Sequence, residues 1–106
     1  MAKPIFVWQN RVLVAIKTDN IIALATEKNY TKIFLANKKY YMVRTTLSGL
    51  LKKLPPGMFN KIHRSFAVAT NHIEEVYRDH LIVADEGIPI AKQFYPKLIE
   101  QLDIIE

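Results

Sequence analysis

The sequence contains no cysteine and only three glycines among its 106 residues. The lack of cysteine excludes disulfide bonds and thiolate metal sites, and it fits a reducing compartment. Half of the residues are hydrophobic, which excludes a low-complexity or disordered chain. The longest apolar stretches, such as residues 21–25, are far shorter than the roughly 20 residues of a membrane helix, and so is the run at residues 33–36. We therefore expect one soluble domain spanning residues 1–106.

The first residues, Met1-Ala2-Lys3-Pro4, do not begin a signal peptide. Together with the absence of cysteine, this start predicts a cytoplasmic protein with no membrane association.

Negative charge is missing from a long internal segment. Residues 28–73 contain no Asp or Glu, although the whole chain has a net charge of +5. The basic residues of this segment are Lys28, Lys32, Lys38, Lys39, Arg44, Lys52, Lys53, Lys61 and Arg64. A positive field without interruption attracts polyanions and is typical of nucleic-acid binders. A solvated basic face that only maintains solubility is the alternative, and charge alone leaves both open.

Short runs rich in Val, Ile, Phe and Tyr alternate with turn-forming residues, which predicts a mainly β fold. We expect strands at residues 5–8, 11–16, 21–26, 31–35, 40–44, 66–69, 75–77, 80–83 and 88–90. Leucines at positions 47, 50, 51 and 54 have helical spacing, with Thr45 or Thr46 as the N-cap and Pro55 as the stop. A second short helix is expected over residues 92–102.

Catalysis is not supported by the spacing of the ionisable residues. His63, His72 and His80 match no helical metal-ligand pair, and the sequence has no glycine-rich phosphate loop. Glu74 and Glu75 are adjacent, so on a strand their side chains point to opposite faces. We therefore predict a protein that is not an enzyme and that needs no metal or other cofactor.

Residues 59–68, Phe-Asn-Lys-Ile-His-Arg-Ser-Phe-Ala-Val, resemble the signature segment of LytTR domains. Residues 21–30 resemble that family's strand and turn before a tyrosine, residues 46–55 resemble its Leu-rich helix ending in Leu-Pro, and residues 88–94 resemble its Ile-Pro-Leu-Ser-Arg-x-Tyr segment. The resemblance covers nearly the whole chain. It implies packed antiparallel sheets, with one short internal helix and a short C-terminal helix, and loops that enter the major groove of double-stranded DNA.

The resemblance also implies three DNA-contacting regions. They are Lys28 and Asn29; Lys61, His63, Arg64 and Ser65 of the His-Arg-Ser loop; and Lys92 and Gln93. Arg64 is the first candidate for base recognition, because its planar guanidinium can grip guanine O6 and N7 at two points.

Several of these residues keep two interpretations. Asn29 could contact adenine or only form a turn, His63 could contact DNA or only shape its loop, and Ser65 could donate to phosphate or cap the turn. Phe59, Phe66 and Tyr30 are expected to be buried anchors rather than surfaces on which bases stack.

Three positions depart from the family pattern: Ala91 stands where the family commonly has Ser, Lys92 where it has Arg, and Ala69 where it often has Asn. We expect Lys92 to attract phosphate without specifying a base, since a lysine lacks the arginine fork.

The resemblance further implies the output domain of a bacterial transcriptional regulator, most often a response regulator of a two-component system. A receiver or sensor domain would accompany it elsewhere in the protein, and the isolated domain would be a monomer that dimerises on paired direct repeats. The alternative from another class is a single-stranded RNA-binding or protein-interaction β module, which would use the same charge with aromatic stacking.

Overall fold

The computed structural model describes residues 3–106 and consists mainly of antiparallel strands. Met1 and Ala2, where the expectation about a signal peptide falls in part, lie outside the described residues. The strands are β1 Ile5–Gln9, β2 Val12–Ile16, β3 Ile21–Glu27, β4 Tyr30–Leu35, β5 Tyr40–Val43, β6 Phe59–His63, β7 Phe66–Ala69, β8 Ile73–Val76, β9 His80–Val83 and β10 Glu86–Pro89. The helices are α1 Leu47–Leu51 and α2 Tyr95–Glu100, and short 3-10 turns occupy Thr18–Asn20, Thr70–His72 and Lys92–Phe94.

The strands form three sheets. The central sheet has the order β5-β4-β3-β7-β6, the side sheet has the order β10-β9-β8, and β1 and β2 form an N-terminal hairpin. Every pairing between these strands is antiparallel. The mainly β architecture that the sequence predicts is therefore confirmed.

The central sheet buries both of its faces, because successive side chains of a strand point to opposite sides. On one face, Leu24 and Ile33 pack with the N-terminal hairpin and with the leucines of α1. On the other face, Ala23 and Val68 pack with the side sheet and with Leu98 of α2. Two apolar cores thus share one sheet.

Strand β6 is the main departure from the sequence prediction, which assigned residues 61–65 to a loop. The structure instead places Lys61 and His63 in β6, and only Arg64 and Ser65 form the turn to β7. A register shift between Lys61 and His63 interrupts the alternation of apolar and polar residues by which a strand is predicted. Ile62, at this irregularity, is completely buried.

The helix α1 confirms the predicted leucine helix and its cap. The Thr46 side chain accepts a hydrogen bond from the Gly49 backbone N–H at 2.9 Å, as an N-cap residue does. The predicted C-terminal helix is divided, because the chain first forms the 3-10 turn Lys92–Phe94 and becomes α-helical at Tyr95.

The prediction of buried aromatic anchors is correct in part. Phe59 and Phe66 are partly buried against the two cores. Tyr30 is 40% exposed, and the prediction of its burial is wrong. Tyr30 is the first residue of β4 and pairs with Glu27 at the end of the central sheet, which places it beyond the cores.

Within residues 3–106, no helix combines the length and the apolar character needed to cross a bilayer.

Candidate nucleic-acid interface

Antiparallel topology brings three separate chain segments to one end of the central sheet. The β3–β4 turn, the segment from the end of β5 to α1 and the β6–β7 turn all lie there. Together they enclose a concavity with a volume of about 610 Å³, which we call the basic concavity. Its lining residues are Thr26, Lys28, Asn29, Arg44, Thr45, Thr46, Leu47, Ser48, Lys61 and Arg64.

Four cations surround this concavity: Lys28, Arg44, Lys61 and Arg64. Among residues 3–106, none of these four side chains pairs with a carboxylate within 4.0 Å. By contrast, the nearby Lys32 is paired with Glu27 at 3.0 Å and lies 5.0 Å from the centre of the Tyr40 ring. The positive charge of the concavity is therefore available to an external anion.

The β3–β4 turn presents Lys28 and Asn29 as exposed residues. Lys28 adopts a positive φ of 55°, a left-handed conformation that tightens the connection between the paired residues Glu27 and Tyr30. Asn29 lies in the same turn and lines the concavity. Both interpretations of Asn29, as a turn residue and as a contact residue, are therefore compatible with its position.

The β6–β7 turn is held by the side chain of His63 and by a backbone hydrogen bond from β3. The Ser65 backbone N–H donates to His63 Nδ1 at 3.0 Å, and the Thr26 N–H donates to the Ser65 carbonyl at 2.8 Å. The His63 ring also lies 5.2 Å from the Phe66 ring, centre to centre. These contacts give His63 a shaping role, while Arg64 at the tip of the turn is exposed.

The third sequence-predicted region lies beside β6, outside the lining of the basic concavity. Lys92 and Gln93 are exposed in the 3-10 turn that precedes α2. The Ala91 backbone N–H donates to the Ile62 carbonyl at 2.9 Å and attaches this turn to β6. Lys61, Arg64, Lys28 and Asn29 are therefore brought together, whereas His63, Ser65, Lys92 and Gln93 do not line the concavity.

Sequence reasoning did not select Arg44, Thr45, Thr46 and Ser48 as site residues. Arg44 and the three hydroxyl side chains line the concavity from the segment between β5 and α1. Arg44 belongs to the acid-free stretch, but its place in the same concavity as Arg64 depends on the antiparallel strands that bring the end of β5 and the β6–β7 turn to one end of the central sheet. Thr46 and Thr45 were considered only as helix caps.

A buried hydroxyl fixes this added segment to the sheet. Thr31 of β4 is completely buried, and its Oγ1 donates to the Thr45 carbonyl at 2.8 Å. The hydrogen bond holds the residues that follow Arg44 against the central sheet.

We expect Thr31→Val to lower the free energy of unfolding by about 1–3 kcal/mol, because valine preserves the shape but leaves the Thr45 carbonyl without this donor. Chemical denaturation monitored by circular dichroism measures the change. Thr31→Ser retains the hydroxyl and serves as the matched control. Equal stability of Thr31→Val and the wild-type protein would show that the hydrogen bond contributes nothing to folding.

Shifted pKa values occur on the side sheet, away from the concavity. The hydrogen bond between His80 Nδ1 and Asp79 Oδ1, at 2.7 Å, lowers the pKa of the Asp79 carboxyl. The hydrogen bond that the Tyr77 hydroxyl donates to Glu75 raises the pKa of Tyr77. All of these residues lie in or beside the β8–β9 hairpin, and we assign them no role in the interface.

No group of three or more His, Asp or Glu side chains that could hold a metal ion is found in the part of the chain that the structure describes.

Comparison with known proteins gives a match to the family model of the LytTr DNA-binding domain over residues 11–103. The transcriptional regulatory protein LytR of Staphylococcus aureus strain MW2 is 32% identical over 77 residues, which cover 69% of this chain and 31% of LytR. The sensory transduction protein LytT of Bacillus subtilis strain 168 is 32% identical over 98 residues, which cover 87% of this chain and 40% of LytT. The matched regions are thus less than half of either relative.

Among solved structures, a LytTr DNA-binding domain of a response regulator from Bacillus cereus has a similar fold. Its TM-score is 0.82, and the superposition covers 96% of this chain and 98% of that domain. The sequence identity is 18%, so this likeness concerns the fold.

Proposed function

This chain belongs to the LytTR DNA-binding domain family, and from that membership we propose that its basic concavity binds double-stranded DNA and recognises a specific sequence. The observation that carries the proposal is the convergence of Lys28, Arg44, Lys61 and Arg64 on one concave end of the central sheet. Turns project from this end, and they would enter the major groove in place of a recognition helix.

The residues divide into two roles by their chemistry. Arg64 at the exposed tip of the β6–β7 turn has the donor fork suited to guanine, and Arg44 offers a second fork from the segment between β5 and α1. Lys28, Lys61 and Lys92 supply charge to phosphates, while Asn29, Ser65 and Gln93 supply hydrogen-bonding groups. His63 supports Arg64 by holding the turn. Binding requires no metal or cofactor in this scheme.

We further propose that the domain is the output part of a bacterial transcriptional regulator acting in the cytoplasm. LytR is named as a transcriptional regulatory protein and LytT as a sensory transduction protein, and both are longer than this chain. A receiver or sensor domain would control the output domain in such a protein. The isolated domain would be a monomer in solution, with two copies occupying paired direct repeats on DNA.

Selection of the purified domain against a randomised duplex DNA library tests the proposal. Recovery of a base motif is the expected result. The selection is run at low and moderate salt, because phosphate contacts weaken steeply as salt rises. A folded protein that enriches no motif even at low salt would contradict sequence-specific recognition by the domain alone.

A competition binding experiment distinguishes the proposed function from the alternative of a single-stranded RNA-binding module. Duplex DNA should displace a bound duplex more effectively than single-stranded DNA or RNA of equal length. Tyr30, Tyr40 and Tyr77 are exposed, so surfaces for stacking exist. Stronger competition by the single strands would favour that alternative.

We expect Lys92→Ala to weaken binding to all duplexes by a similar factor and to reduce the slope of log affinity against log salt by about 1, because a lysine–phosphate contact carries no base preference. Affinity is measured at several salt concentrations for the selected site and for a scrambled duplex. Lys17→Ala is the charge-matched control, since Lys17 is exposed near the start of β3, at the opposite end of the central sheet. A changed base preference with an unchanged salt slope would be incompatible with a phosphate-only role for Lys92.

A further inference from the structure

A second concave region lies between the central sheet and the β9–β10 hairpin, on the face opposite α1. This apolar cleft has a volume of about 630 Å³, within the range of roughly 300–1,000 Å³ common for small-molecule sites. Ile22, Phe34, Phe66 and Ile88 line it, and each of these side chains is only partly buried. The side sheet therefore covers the second core incompletely and leaves aromatic and branched side chains in contact with solvent.

The charges at the cleft balance each other. Lys38 and Lys39 line one side, and Asp85 and Glu86 line the other. Within residues 3–106, no ion pair within 4.0 Å engages any of these four side chains. Because these two positive and two negative groups carry no net charge together, an ion of either sign meets like as well as opposite charge at the cleft, and the apolar lining favours an uncharged ligand. The Phe34 and Phe66 rings favour an aromatic ligand, because aromatic pairs gain free energy beyond the area they bury.

One wall of the cleft is connected to the proposed DNA-reading turn. Phe66 begins β7, and its ring contacts the His63 ring at 5.2 Å between centres. His63 Nδ1 in turn accepts the Ser65 N–H, and the Ser65 carbonyl accepts the Thr26 N–H. A displacement of the Phe66 ring therefore changes the support of the turn that carries Arg64.

We propose that the apolar cleft binds an uncharged aromatic small molecule and that its occupancy weakens DNA binding through Phe66 and His63. The binding half is independent of the proposed function, whereas the regulatory half rests on it. The ligand weakens binding because the free domain already has the turn in its supported form, and insertion beside Phe66 disturbs that form.

The binding half is tested with three probes of similar shape and different charge: naphthol, naphthoate and naphthylmethylammonium. NMR methyl shifts of Ile22 and Ile88 locate binding, and methyl groups of Leu50 and Leu54 in the other core serve as internal references. We expect naphthol to bind at least about tenfold more tightly than either ion and to move the Ile22 and Ile88 signals. An ion that moves the Ile22 and Ile88 signals with an affinity equal to that of naphthol, or unmoved Ile22 and Ile88 signals at saturating naphthol, would overturn the cleft assignment.

A filling variant makes the test specific. Ala25 lies opposite Phe66 in the pairing of β3 with β7 and lines the cleft. We expect Ala25→Leu to reduce naphthol affinity by about tenfold or more. Val14→Leu enlarges a partly buried residue beside the other core and is the matched control. Both variants are first shown to be folded by circular dichroism. Equal naphthol affinity in Ala25→Leu and Val14→Leu would place the probe elsewhere.

The regulatory half is tested by measuring duplex DNA affinity with and without saturating naphthol. The expected result is a loss of about fivefold or more in the wild-type domain and in Val14→Leu, with no loss in Ala25→Leu. Naphthol binding at Ile22 and Ile88 without any change in DNA affinity would overturn the regulation and leave the ligand site standing. A domain that binds no duplex at any salt would overturn the proposed function together with the regulation, while the methyl shifts would still decide the ligand site.

Discussion

Arg64→Ala is expected to remove most of the sequence preference of the domain. Arg64 stands at the exposed tip of the β6–β7 turn and lines the basic concavity together with Arg44 and Lys61. A two-point contact between arginine and guanine contributes about 1–3 kcal/mol of discrimination against a wrong base. This corresponds to a loss of about 5- to 150-fold in affinity for the selected site, with a much smaller loss on a scrambled duplex.

The comparison that identifies this role uses two further variants. Arg64→Lys retains the charge but not the fork, so it should resemble Arg64→Ala in base preference and the wild-type protein in salt dependence. Lys17→Ala loses one positive charge at the far end of the sheet and should retain the base preference. A uniform loss of affinity on every duplex in Arg64→Ala, with the selected motif unchanged, would assign Arg64 to phosphate and contradict base recognition.

Ile62→Ala is expected to lower the free energy of unfolding by about 2–5 kcal/mol, because it removes a large side chain from a close-packed core. Ile62 is completely buried although it lies between Lys61 and His63. Its carbonyl also accepts the Ala91 N–H, which joins β6 to the turn that carries Lys92. Loss of Ile62 packing would therefore destabilise the support of two of the three predicted contact regions, the His-Arg-Ser turn and the turn that carries Lys92.

Urea denaturation measures this effect as a shift of the midpoint with little change in slope. Lys61→Ala, at the adjacent position, should change stability by less than about 0.5 kcal/mol, since it removes a polar side chain at the edge of the sheet. The two variants thus separate folding from binding: Ile62→Ala weakens the fold and Lys61→Ala weakens DNA binding. An Ile62→Ala protein as stable as the wild type would show that the core adapts to the smaller residue.

The parts of the fold that were predictable have regular local patterns. Strands β7 and β9 have the predicted bounds of residues 66–69 and 80–83, because they are short apolar runs between turn residues. The helix α1 follows from leucines at helical spacing and from a threonine cap. Strand β6 was missed, since Asn60, Lys61 and His63 make it polar and the register shift at Ile62 interrupts its alternation.

The candidate site was predictable only in part. The family resemblance, now confirmed by the family match, selected Lys28, Asn29, Lys61 and Arg64, which the structure brings together. Arg44 was not selected, because it shares the concavity with Arg64 only through the topology of the sheet, which no local pattern encodes. The contact roles of all these residues, and of His63, Ser65, Lys92 and Gln93, stay predictions until DNA binding is measured.

Because two cores share the central sheet, the unfolding of that sheet affects both of them. Strand β3 lies between β4 and β7, and its successive residues Ala23 and Leu24 belong to opposite cores. Unfolding of β3 removes a packing surface from both cores at once, so we expect the central sheet to be lost in one cooperative step. The turns that carry Lys28 and Arg64 extend from this jointly buried region. Loss of β3 therefore releases both turns together, and the DNA-reading surface is lost in the same step.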